Sequence, residues 1–175
     1  MGLWLVFWVG VNFLPDGVYA QVKLGSDRLA EQDFGPLKGK RVGLLTNPSG
    51  INPRGRTTIK LLHQAPQVNL VALFGAEHGL DGTASAGTEV RNYTDSDTGL
   101  PVFSLYGPGP VRKPTPAMLK NIDILVYDLQ DTGARSYTFI SSMGLAMDAC
   151  GEAAVAFMVL DRPNPLGGMR VEGPL

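Results

Sequence analysis

The sequence predicts an α/β fold, an open parallel sheet with helices on both faces. From Arg41 onward, short aliphatic and β-branched runs alternate with helix-length segments. Most of these runs are continuously apolar, the pattern of strands covered on both sides, where alternation would mark a half-exposed sheet. The composition agrees: of 175 residues, 44% are hydrophobic and 18% charged, the balance of a chain able to close a core.

Five runs read as strands: 41–46 (RVGLLT), 68–74 (VNLVALF), 102–105 (VFSL), 122–128 (NIDILVYD without its first residue) and 154–160 (AVAFMVL). Helices are expected at 26–34, 57–64, 116–120 and 136–151. The last is the most sharply periodic, with Phe139, Ile140, Met143, Met147 and Cys150 at helical spacing and read as core filling. Segments 75–101 and 106–115 are too long for simple turns, and long ordered connections in a compact domain usually carry function.

The N-terminus reads differently. Leu3 to Leu14 is an apolar run, shorter than the about 20 residues that cross a bilayer, and Val18-Tyr19-Ala20 ends in a small residue suited to cleavage. Residues 1–20 are therefore expected to be a secretory signal peptide, although no Lys or Arg precedes the run. Residues 21–175 would then form one domain, secreted or periplasmic, with no stable membrane span once the signal is removed and Cys150 buried.

Several function classes are excluded. A formal charge of −1 provides no field for a phosphate backbone, so nucleic acid is not expected as a partner. One Cys forms no internal disulfide, and with two His it falls short of a clustered metal site. The first loop, TNPSGINPRG, lacks Gly-x-Gly-x-x-Gly, and neither a Gly-Lys-Ser/Thr element nor a Gly-x-Ser-x-Gly elbow occurs.

Ligands of open parallel sheets bind beyond the carboxyl ends of the strands, and polar residues collect there. Asn47 follows the first strand, Glu77 and His78 the second. The fourth ends in Asp128, Gln130 and Asp131 and runs on to Arg135 and Tyr137; the fifth ends in Asp161, Arg162 and Asn164. Acids and amides with a few aromatics suit a polyhydroxylated ligand. Asp128 and Asp161 serve equally well as caps of following turns, with Arg135 and Arg162 as their partners. Glu77 has no such structural duty. It sits in a Gly-flanked loop beside Phe74 and Leu80, and a carboxyl near apolar walls is the setting a general acid requires.

The strings GLLTNPSGI, FGAEHGLDG, DTGLPVFSLYG, RKPTPAML, IDILVYDLQDTGARSYTFISSM and VLDRPNPLGGMRVEGPL occur in order between about Leu37 and Leu175. Together they resemble the bacterial exo-β-N-acetylmuramidase family of glycoside hydrolases, formerly a domain of unknown function. The resemblance implies a Rossmann-like N-terminal catalytic domain and release of N-acetylmuramic acid from the non-reducing ends of peptidoglycan fragments in wall recycling, without a cofactor. It also implies Glu77 as the essential acid. Two positions depart from the family pattern: Ala76 stands where Pro is usual, and Asp81 where a basic residue is usual. Members continue into a C-terminal domain that closes the cleft, which is expected to be absent from this chain.

Under this reading Glu77 protonates the leaving oxygen or activates water, and a second group stabilises the oxocarbenium-like transition state. Asp128, Asp131 and Asp161 are candidates for it, at about 5 to 5.5 Å from Glu77 for retention or about 6.5 to 9.5 Å for inversion. Assistance by the substrate acetamido group or by Tyr137 stays open. Asn47, His78, Gln130, Asp131, Arg135, Tyr137, Arg162 and Asn164 form the expected substrate-binding set, with Arg135 facing the lactyl carboxylate. The alternative is a non-catalytic sugar- or muropeptide-binding module, or an inactive fragment of such an enzyme.

Overall fold

The computed structural model describes residues 22–109 and 112–173, so the signal peptide expected over residues 1–20 lies outside the described residues. The elements run α1 (Gly25–Glu31), β1 (Arg41–Thr46), α2 (Thr58–His63), β2 (Asn69–Gly75), β3 (Tyr93–Thr94), β4 (Pro101–Ser104), α3 (Pro116–Leu119), β5 (Ile124–Asp128), α4 (Phe139–Glu152) and β6 (Ala156–Val159), with a 3-10 turn at Gly35–Leu37. All five expected strands form. The sixth, β3, is a two-residue exposed strand antiparallel to β4, too short to show any period in sequence.

The sheet order is β3-β4-β2-β1-β5-β6. Apart from β3 every pairing is parallel. The chain winds outward from β1 through β2 to β4, then returns to the other side of β1 for β5 and β6. Strand order therefore reverses between β1 and β5, and a crevice opens beyond their carboxyl ends.

Period-2 side-chain alternation divides the core into two layers. Val42, Leu44, Leu73, Val102, Ile124 and Val126 pack with Leu29 of α1 and Leu61 and Leu62 of α2. Leu45, Phe74, Leu125 and Tyr127 pack on the opposite face with Leu119 of α3 and Ala146, Ala149 and Cys150 of α4. One irregularity keeps β2 in phase: opposite the step from Val42 to Gly43, β2 advances from Leu70 to Ala72. The extra residue, Val71, is what lets Leu70 and Leu73 share one layer despite their odd spacing.

Helix α4 corrects a detail of the expected core. Ala146, Ala149, Cys150 and Ser142 are buried, whereas Ile140 and Met147 are about half exposed. Small residues let the helix lie close on Leu125 and Tyr127, which leaves the bulky Ile140 and Met147 at its flanks. Among the described residues, no helix is long and apolar enough to cross a membrane.

The carboxyl ends of the strands are tied by a buried ion pair. Arg162, just past β6, donates from Nε to Oδ1 of Asp128 at 2.6 Å and from Nη2 to Oδ2 at 3.1 Å. The Thr58 hydroxyl, at the start of α2, donates to Asp128 Oδ2, and the Arg162 guanidinium also reaches the Ile51 carbonyl at 3.1 Å. Next to it, Thr46 Oγ1 donates to the Asp128 carbonyl at 2.8 Å. Gly50 passes so close to Thr46 Oγ1 that any Cβ there would collide with it. At the other end of the sheet, Arg41 donates to Asp123 from its backbone N–H at 2.7 Å and from Nη2 at 2.7 Å.

Three expectations follow. Asp128→Ala strands the Arg162 guanidinium, whose side chain is 7% exposed, and a charge left unpaired in that way costs about 3–5 kcal/mol; urea unfolding measures it, and a loss under about 1 kcal/mol would contradict the buried pair. Asp123 is held at about 2, below its ordinary 3.8, chiefly by the Arg41 side chain and then by its backbone N–H. A depressed carboxyl stabilises the fold fully above its unfolded value and ceases to as pH falls through its folded one, so Asp123→Asn should flatten the loss of stability between about pH 4 and pH 2. Burial pushes the Cys150 thiol up to about 11; the folded protein should resist thiol-specific reagents at pH 8 and react fully once denatured.

Candidate active site

Beyond β2 the chain makes a tight turn. Gly79 donates its N–H to the Ala76 carbonyl at 3.0 Å, and both His78 and Gly79 hold positive φ, 71° and 79°. A histidine in the left-handed region is uncommon, and the surrounding contacts sustain it. His78 Nδ1 lies 2.9 Å from the Ala84 carbonyl, and the Ala84 N–H donates back to the His78 carbonyl at 3.1 Å. Because a carbonyl only accepts, Nδ1 carries the hydrogen in that bond.

This turn lifts Glu77 away from the core. Phe74 and Leu80, its expected apolar walls, point into the hydrophobic layers. The carboxyl instead meets two donors: the Gly87 N–H at 3.1 Å on Oε1 and the Thr138 hydroxyl at 2.7 Å on Oε2. Thr138 immediately precedes α4, which follows β5, so Glu77 spans from the end of β2 past β1 to the β5–α4 loop. The start of α4 is itself held: the buried Tyr127 hydroxyl donates to the Phe139 carbonyl at 2.9 Å. Burial first, then the Asp131 and Asp128 carboxylates, push the Tyr127 phenol up, so it stays a donor across the physiological range.

At the reversal between β1 and β5, Asn47 and Gln130 are linked through Ser49. Asn47 Oδ1 accepts from the Ser49 N–H at 2.9 Å and from its hydroxyl at 2.5 Å, and Ser49 Oγ accepts from the Gln130 N–H at 2.9 Å. The Gln130 side-chain amide donates to the Asp131 and Pro163 carbonyls, each at 2.8 Å, joining this loop to the one after β6. Asp131 accepts the Gly133 N–H on Oδ2 at 2.8 Å, while its Oδ1 is buried with no hydrogen-bond partner among the described residues. Gly133, at φ 75°, leaves no room for a Cβ against the Asn164 side chain.

The residues singled out in sequence thus fall into distinct settings. Glu77, His78, Asn47, Gln130 and Asp131 belong to the loops around the crevice. Asp128 and Arg162 lie beneath it and spend their polar atoms on each other, Thr58 and Ile51. Asp161 is exposed, its carbonyl accepting from the Gly25 N–H at 2.8 Å. Arg135 and Tyr137 are exposed on the β5–α4 loop, and Asn164 Oδ1 accepts from the Leu166 N–H in a local turn. Sequence reasoning passed over Thr138 and Ser49. A threonine at the head of the most periodic helix was the available signal for the first; nothing local marks the second.

A surface cavity of about 700 Å³ lies at the opposite, amino end of the strands between Arg41, Asp123 and Val155. Chemically, the open end presents a carboxyl held at both oxygens, a histidine with one ring nitrogen committed, and a second carboxyl with an unpartnered oxygen, a set suited to proton transfer at a hydroxylated ligand.

Comparison with known proteins places this arrangement. A family model described as "Exo-beta-N-acetylmuramidase NamZ, N-terminal" matches residues 42–175. The peptidoglycan beta-N-acetylmuramidase NamZ of Bacillus subtilis (strain 168) is 52% identical over 155 residues, covering 89% of this chain and 37% of that protein. A crystal structure of a DUF1343 family protein from Bacteroides fragilis NCTC 9343 superposes with a TM-score of 0.78 at 57% identity, covering 86% of this chain and 37% of its own. A second DUF1343 protein from the same strain gives 0.67 at 36% identity, with 83% and 36% covered. This chain therefore spans a little over a third of the length of the relatives it matches. On these matches and the α/β sheet they share, the chain belongs to the exo-β-N-acetylmuramidase NamZ family and corresponds to its N-terminal domain.

Proposed function

We propose that this chain contributes the acid-bearing N-terminal part of an exo-β-N-acetylmuramidase that releases N-acetylmuramic acid from the non-reducing ends of peptidoglycan fragments. The observation that carries the reading is the Glu77 carboxyl, clamped by the Gly87 N–H and the Thr138 hydroxyl at the carboxyl end of a parallel sheet. The 52% identity to a curated peptidoglycan beta-N-acetylmuramidase supports it.

Glu77 delivers a proton to the glycosidic oxygen or takes one from water. Of the three candidates for the second carboxyl, Asp131 fits best. Asp128 is consumed by Arg162 and Thr58, and Asp161 stands exposed on the far side of the Gly25 contact. Asp131 is the one of the three left without an ion pair on a crevice loop, half-buried with Oδ2 accepting from the Gly133 N–H. Arg135, on the exposed rim three residues before Thr138, is the group proposed for the lactyl carboxylate. None of these steps calls for a cofactor. The apolar run from Leu3 to Leu14, followed by the Val18-Tyr19-Ala20 cleavage pattern, supports action outside the cytoplasm, where peptidoglycan is found.

The test is turnover of a chromogenic N-acetylmuraminide by the purified chain and by Glu77→Gln, with calorimetric titration of N-acetylmuramic acid into both. Loss of an acid–base group lowers kcat by about 10²- to 10⁴-fold, with sugar binding kept. Undiminished turnover in Glu77→Gln would remove Glu77 from the chemistry. Binding without turnover in the unsubstituted chain would make it a sugar-binding module.

A further inference from the structure

We infer that Thr138 is the positioning residue of the reacting carboxyl: its hydroxyl holds Glu77 Oε2 in place through both protonation states. The inference rests on the reading of Glu77 as the proton-transferring group and adds a residue and an oxygen atom to it.

The first ground is that the Thr138 hydroxyl is not spent on a cap. Thr138 enters α4 with a helical backbone, φ −84° and ψ −12°, and its side chain makes no bond to the first turn. Thr57 and Thr115, which precede α2 and α3 with extended backbone, do cap: Thr57 accepts from the Lys60 N–H and Thr115 from the Met118 N–H. At α4 the hydroxyl turns instead to a carboxylate 61 residues away in sequence, at 2.7 Å.

The second ground is that both carboxyl oxygens are held by donors: the Gly87 N–H on Oε1 and the Thr138 hydroxyl on Oε2. Each oxygen has two lone pairs, so the Thr138 hydroxyl occupies one site on Oε2 and leaves the other for the proton exchanged with the substrate. Oε2 keeps its donor before and after the proton moves, and the carboxyl does not swing between states.

The third ground is rigidity. Tyr127 donates to the Phe139 carbonyl, and the Thr138 carbonyl accepts from both the Ser142 N–H at 2.9 Å and the Ser142 hydroxyl at 3.1 Å. The residue aiming the carboxyl is thus anchored to β5 on one side and to the first turn of α4 on the other. A positioning group on so stiff a mount adds to rate by orientation, and small displacements of a reacting group are costly.

Thr138→Val keeps shape and removes the hydroxyl; Thr138→Ser keeps the hydroxyl. In the same muraminide assay, kcat of Thr138→Val should fall about tenfold to a hundredfold with KM within about twofold, and Thr138→Ser should recover most of it. Because no cap is lost, Thr138→Val should remain folded by circular dichroism. Independently of turnover, a double-mutant cycle of Thr138→Val with Glu77→Ala, read by urea unfolding, should show the two effects coupled by about tenfold in the unfolding equilibrium constant. Normal kcat in Thr138→Val, failure of Ser to rescue, or additive effects in the cycle would overturn the positioning role while leaving Glu77 its own. An unsubstituted chain that releases no sugar would overturn both together.

Discussion

The arrangement of this domain depends on one carboxylate, that of Asp128. It ends the strand on which the chain reverses its winding, and its oxygens receive a guanidinium from beyond β6 and a hydroxyl from the start of α2. Through the same guanidinium it reaches the backbone of the β1–α2 loop at Ile51. Three connections leaving three different strands are thus tied to one buried point. A buried ion pair is poor evidence of net stability, because desolvation offsets much of the attraction. Its contribution here is to register: an apolar substitute would fill the space without specifying which loop lies where.

On that frame the crevice loops form a second, more polar tier. Asn47, Ser49 and Gln130 link the ends of β1 and β5, and the Gln130 amide extends the link to the loop after β6. Glu77 arrives from β2 and is met by Thr138 from the β5–α4 loop. The Glu77 carboxyl stands on a turn, while its two donors come from the head of a helix and a loop amide.

The strands were legible because a doubly covered parallel sheet writes itself as continuous apolar runs bounded by polar strand ends, and the apolar segments have no other place to go. β3 was not legible, since two exposed residues carry no period. On α4, Cys150 is buried and Phe139 and Met143 pack against the core as expected, whereas Ile140 and Met147 only look like core: the small Ser142, Ala146 and Ala149 take the most buried positions. In the site, Glu77 stood out because nothing local explained it. Asp128 and Asp161 read alike in sequence, each an acid ending a strand, yet one is fully buried in an ion pair and the other exposed.

The sequence by itself determined the fold class and the strand ends as the polar side of the molecule, because hydrophobic periodicity and turn chemistry are local properties. Tertiary structure alone decided which acids are spent in ion pairs and which donors meet the Glu77 carboxyl. Those outcomes depend on hydrogen bonds between groups far apart in the chain, Thr138 with Glu77 and Arg162 with Asp128. Sequence distance carries no information about such pairs until the sheet brings the loops to one end.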